Sequence, residues 1–127
     1  MSYATAPQIA YRRGEVLSAT PGQLVVLLYD GAARFLRQAA TAMSAGEVQR
    51  AHATLRRAER IIRYLDGSLD FEQGEIPQRL HAIYTFCLRQ LSDARFDQDV
   101  TKVQDVSGLL GELREAWSQV AAEVERW

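Results

Sequence analysis

From Val103 to Trp127 an apolar residue returns every three or four positions: Val103, Val106, Leu110, Leu113, Trp117, Val120, Val124 and Trp127. That step is the repeat of one face of an α-helix and is held for about three heptads, so this stretch folds as a helix that hides one side. The same period runs back through the chain. Leu24, Leu27, Leu28, Ala32, Phe35, Leu36, Ala39 and Met43 share a face. Val48, Ala51, Leu55, Ala58, Ile62, Leu65 and Leu69 form a second stripe, and Leu80, Ile83, Tyr84, Cys87, Leu88, Leu91 and Ala94 a third. Val-Ile-Thr runs bounded by turns are missing, which leaves no material for a sheet.

The punctuation agrees with the period. Thr20-Pro21-Gly22-Gln23 opens the first helix: Thr20 caps, Pro21 suits a position whose N–H has no partner, and Gln23 completes a capping box. Ser44-Ala45-Gly46 breaks it, and the second helix is predicted from about Glu47 to Leu69. A loop follows through Gly74, the third helix begins near Ile76-Pro77, and Asp99 caps the last. Short loops between long helices force neighbours to run antiparallel. The predicted fold is all-α, an up-and-down bundle of four main helices over residues 20–127, a rod roughly 30–40 Å long. Residues 1–19 are left as an N-terminal segment, mobile or packed on the bundle. A heptad seam also suits a coiled coil, so self-assembly through Val103–Trp127 is a further reading.

Composition excludes several functions. At 127 residues the chain is a single domain, and 15 Lys+Arg against 16 Asp+Glu, a net charge of −1, argues against a dedicated nucleic-acid binder. One cysteine, Cys87, permits no internal disulfide and reads as a small hydrophobe. No apolar run reaches a membrane span and no signal-peptide core opens the chain, so a cytoplasmic location without membrane insertion is expected. No Gly-rich phosphate loop, His-Glu-x-x-His pair or cysteine pair is present, and Gln49 and Gln78 stand where a di-iron bundle needs glutamates. The chain therefore reads as a non-enzyme with no cofactor and no metal.

Three features invite a functional reading. His52, at the edge of the second stripe with Arg56 one turn on, would suit a histidine phosphotransfer bundle, against the plainer reading of a boundary histidine. Arg50, Arg56, Arg57, Arg60 and Arg63 form a basic stripe, either a solvated face or a docking surface for phosphate or an acidic partner. Glu59 and the loop acids Asp66, Asp70, Glu72 and Glu75 are expected to offset it in part. Finally, apolar residues exceed what one buried face per helix requires. Leu24-Val25-Val26-Leu27-Leu28-Tyr29 is apolar all round, and Phe86, Phe96 and Leu109 fall beside the stripes. Such a surplus is either covered by the N-terminal segment or forms grooves for another chain's helices.

The block Tyr11-x-x-x-x-Val16, Ser18-Ala19-Thr20-Pro21-x-x-Leu24, Leu28-Tyr29-Asp30-Gly31-Ala32 resembles the signature of the flagellar secretion chaperone FliS family. The resemblance continues through Ala58-x-x-Ile61-Ile62-x-x-Leu65, Gly74-Glu75-Ile76, Leu80-x-x-Ile83-Tyr84 and Leu113-Arg114-x-Ala116-Trp117. Ala94-Arg95 and Gln98-Asp99 depart from the family's usual Ala-Asn and Asn-Asp, at a turn and a cap.

The resemblance implies a cytosolic export chaperone. It would bind the disordered C-terminal segment of flagellin in apolar grooves, prevent premature polymerisation, and deliver the client to the flagellar type III export gate. A client-bound monomer is expected. The groove and groove-supporting residues it implies are Leu24, Leu28, Tyr29, Leu55, Ile62, Leu65, Leu80, Tyr84, Leu91 and Leu110. Tyr11 and Val16 would cover or line the client groove, and Ile9 with Tyr11 would serve export-gate docking. Asp30 and Gly31 are expected to serve packing rather than the client.

Overall fold

The computed structural model describes residues 19–125, with side chains as far as residue 120. Four helices follow one another: α1 (Pro21–Ser44), α2 (Val48–Gly67), α3 (Ile76–Asp97) and α4 (Val100–Glu125). The capping box at the start of α1 is complete. The Gln23 N–H donates to Thr20 Oγ1 at 3.2 Å, and the Thr20 N–H donates to Gln23 Oε1 at 3.0 Å. At the other end Gly46 takes φ +75°, a left-handed conformation that costs glycine little, and the chain reverses within residues 45–47. The α3–α4 turn is tighter still: Gln98 is left-handed, and Asp99 accepts the Thr101 N–H at 3.0 Å. Asp99 thus caps α4 as expected, while the turn's left-handed position is filled without glycine.

These short connections produce the antiparallel bundle. α1 packs on α2 and α4 over the largest interfaces, and α3 closes the ring against α2 and α4 more lightly. Leu24, Leu28, Leu36, Leu55, Ile62, Leu91, Val103, Val106 and Leu110 fill the interior. Tyr29 and Tyr84 meet across the bundle, from α1 to α3, with hydroxyls 2.5 Å apart. This hub lets two large aromatic rings be buried without orphaning their polar ends.

The last-helix seam turns into its own bundle, with Val103, Val106 and Leu110 buried and Leu113 and Trp117 half-buried. Two expectations need correction. Val48, placed on the second stripe, is exposed, because it begins α2 at the bundle's edge. Val120, placed on the last-helix seam, is 50% exposed near the end of α4. Glu59 does offset the arginines in part, but from a buried position, being only 3% exposed. It lies against α3, where Arg95 bonds its carboxylate and Arg63 stands 3.7 Å away.

Cys87 sits in the core, and burial pushes its thiol up from 9.0 to about 11. Burial likewise raises Tyr29 and Tyr84 above the usual phenol value. In all three the folded state holds the neutral form more tightly. Their stabilisation is complete below the unfolded values and is lost as pH rises through the folded ones. Thermal melts are expected to fall from about pH 9 upward, with Cys87 alone contributing on the order of 2–3 kcal/mol. A Cys87→Ala variant, less stable at neutral pH, should show a shallower alkaline fall; an unchanged slope would remove the thiol from the account.

Candidate functional site

The two edges of α3 are distinguished by their contacts. His81 Nδ1 lies 2.7 Å from Asp66 Oδ1, and Arg95 bonds Glu59, so the edge carrying His81 and Arg95 faces α2. Ile76, Ile83 and Phe86, spaced at steps of seven and three, turn to the opposite edge, toward α4. On α4 the α1-facing edge is marked by Arg114, whose Nε donates to Asp30 Oδ1 at 3.0 Å. Leu109, Leu113 and Val120 turn away from that edge, toward α3.

An apolar strip therefore runs along the lightly packed α3–α4 seam. Ile76 is 67% exposed, Phe86 46% and Val120 50%, while Ile83, Leu109, Leu113 and Trp117 are half-buried against the core. Isolated exposed apolar residues need no explanation, but a run of them flanking one seam does. Ion pairs stand at both of its ends, Lys102–Asp97 at 3.3 Å near the α3–α4 turn and Arg79–Glu75 at 3.1 Å near Ile76. The surface suits contact with another apolar chain.

The floor beneath is rigid. Leu24, Leu28, Tyr29, Leu55, Ile62, Leu65, Leu80, Tyr84, Leu91 and Leu110, the residues read from sequence as groove or groove-supporting, are all buried in one core cluster. Leu80, Tyr84 and Leu91 come to that cluster from α3 and Leu110 from α4, and the others come from α1 and α2. Ile9, Tyr11 and Val16 lie outside the described residues. Of the exposed strip, Phe86 and Leu109 were visible in the sequence as residues falling beside a stripe. Ile76 and Val120 were not singled out as exposed, though each opens or extends an amphipathic helix past the bundle's densest packing.

Gly31 is buried in α1, and Asp30 ties α1 to α4 through Arg114. His52 is half-buried on α2, its Nε2 accepting from the Gln98 amide at 3.3 Å, and Arg56 points to solvent. Among the described residues no cluster of His, Cys, Asp or Glu could hold a metal, and no helix is long and apolar enough to cross a membrane.

A helical bundle with a stiff core and one apolar strip belongs to the class of proteins that work by binding other chains. Known proteins make the class specific. The family model described as "Flagellar protein FliS" matches residues 3–124. The flagellar secretion chaperone FliS of Bacillus subtilis (strain 168) is 33% identical over 120 residues, covering 94% of this chain and 89% of its own. The chaperone of the same name from Salmonella typhimurium (strain LT2) is 36% identical over 108 residues, covering 84% and 80%. A crystal structure of a flagellar chaperone from bacteria shares the fold, with a TM-score of 0.76 at 15% identity over 89% of this chain and 93% of that one. The chain belongs to the flagellar secretion chaperone FliS family.

Proposed function

We propose that this chaperone binds the disordered C-terminal segment of flagellin along the α3–α4 strip, keeps it from polymerising, and delivers it to the flagellar export gate. The observation that carries the reading is the exposed run Ile76, Phe86 and Val120 over a core that is already complete without it. A bundle does not need those side chains to fold, and water pays no less to surround them. Covering them is worth about 25 cal/mol per Å² of apolar area.

A disordered client spends much of that gain on its own ordering, so a long, shallow contact is required rather than a small pocket. The strip is long because it follows two helices. The client would become helical on contact, laying one apolar face between Phe86 and Leu113 and leaving its polar face in water. Tyr84, Leu80 and Leu110 keep the floor from yielding. No nucleotide is needed, since ordering of the tail is driven by burial. In this reading Tyr11 and Val16 cover the client groove, and Ile9 with Tyr11 dock at the export gate of the cytoplasmic machinery.

Calorimetric titration of full-length flagellin is expected to show binding with a negative heat-capacity change. Flagellin lacking its C-terminal segment should not bind. Equal binding by the truncated client would overturn the mechanism. The phosphotransfer reading at His52 is favoured neither by the family nor by a histidine engaged by Gln98.

A further inference from the structure

On the opposite edge of α3 a cleft of about 520 Å³ opens between α2 and α3, lined by Val48, His52, Ser92, Arg95, Phe96 and Gln98. Phe96 stands 91% exposed at its lip and Val48 is exposed beside it, so the mouth is apolar and uncovered. The α2 side of the mouth is cationic: Arg56 follows His52 by one turn and Arg60 comes one turn later, both exposed, whereas on α3 Arg89 has Asp93 one turn on and Asp97 adjoins Phe96. Glu47, the N-cap of α2 beside Val48, is held by Arg50 at 3.4 Å, and Glu59 further along is buried and taken by Arg95 and Arg63. Arg95 Nε, also buried, has no acceptor among the described residues.

This concentration of cations is local, since the whole chain carries a net charge of −1. Like charges one turn apart on a helix repel each other, and the free bundle bears that cost. An anionic partner removes it. Guanidinium groups suit planar carboxylates, which they grip through two N–H bonds. A lipid surface or a nucleic acid would answer the charge but would leave the concave apolar mouth empty.

We propose that the α2–α3 cleft is a second docking site, which takes an acidic amphipathic segment of another protein. An apolar side chain of that segment enters between Val48 and Phe96, and its carboxylates lie on Arg56 and Arg60, on the α2 side away from Asp93 and Asp97. Because the α3–α4 strip is on the other edge of α3, both sites can be filled together. The proposal does not rest on flagellin binding.

The test uses the full chain and a labelled synthetic helical peptide with Leu on one face and Glu on the other, followed by fluorescence anisotropy at moderate salt. The peptide is expected to bind, and its counterpart with Gln in place of Glu to bind at least about tenfold more weakly. Phe96→Ser and the pair Arg56→Gln with Arg60→Gln should each weaken binding about tenfold, the scale of an interface anchor, with unchanged thermal melts. Val120→Ser, on the other edge, should leave it unaltered. Equal binding of the Gln peptide, full binding by Phe96→Ser, or displacement of the peptide by phosphatidylserine vesicles or duplex DNA would each overturn the proposal. Flagellin titrated into Phe96→Ser should bind as to the parent, so a failure at either site is told apart from a failure at the other.

Discussion

Replacing Arg95 by alanine is expected to cost about 3 kcal/mol of stability, a drop in Tm of roughly 10 °C for a chain of this length. The reason lies with Glu59, which the substitution strands. Its carboxylate is 4% exposed at the α2–α3 contact, and Arg95 is its principal partner. Arg63 remains 3.7 Å away, but with its side chain 64% exposed its pull is screened by water. That residual contact places the loss at the lower end of the range for breaking a buried pair.

The double variant Glu59→Leu with Arg95→Met separates burial from charge. It removes both desolvation costs at once and is expected to melt at or above the parent temperature. Denaturant melts of the two variants beside the parent decide the matter. An Arg95→Ala protein as stable as the parent would mean that the pair contributes nothing.

Glu59 also shows where the sequence stopped being informative. Local chemistry announced the helices: Thr20, Pro21 and Gln23 form the cap they suggested, Gly46 makes the reversal, and Asp99 caps α4. The stripes announced the core, because periodicity reports which side of a helix faces inward. Periodicity does not report what stands opposite. Glu59 lies near the margin of the α2 stripe, and nothing within α2 says that Arg95, 36 residues later, arrives beside it. The Tyr29–Tyr84 contact spans 55 residues and was equally hidden.

The same limit applies to the candidate site. Residues read from sequence as groove residues are the deepest in the bundle, since the strongest stripe positions are the first to be buried. The open seam had to be read from the arrangement. How closely α3 approaches α4 decides whether Ile76, Phe86 and Val120 are covered, and no residue pattern within one helix encodes that distance.

Substituting Phe86 and Val120 together by serine is expected to weaken binding of the flagellin C-terminal segment about 100-fold while leaving the bundle intact. Both side chains are roughly half in water in the free protein, so folding loses little when they are removed. The bound state loses an aromatic anchor in the middle of the seam and an apolar contact at its far end. Leu110→Ala makes the opposite trade. Leu110 is 1% exposed, so its truncation opens a cavity costing about 2–5 kcal/mol. Below its melting temperature that variant should still hold the tail within a few-fold of the parent, because the strip is unchanged. Paired measurements of Tm and tail affinity therefore place each residue on a binding axis or a folding axis. Parent-like affinity in Phe86→Ser/Val120→Ser would move the client off the α3–α4 strip altogether.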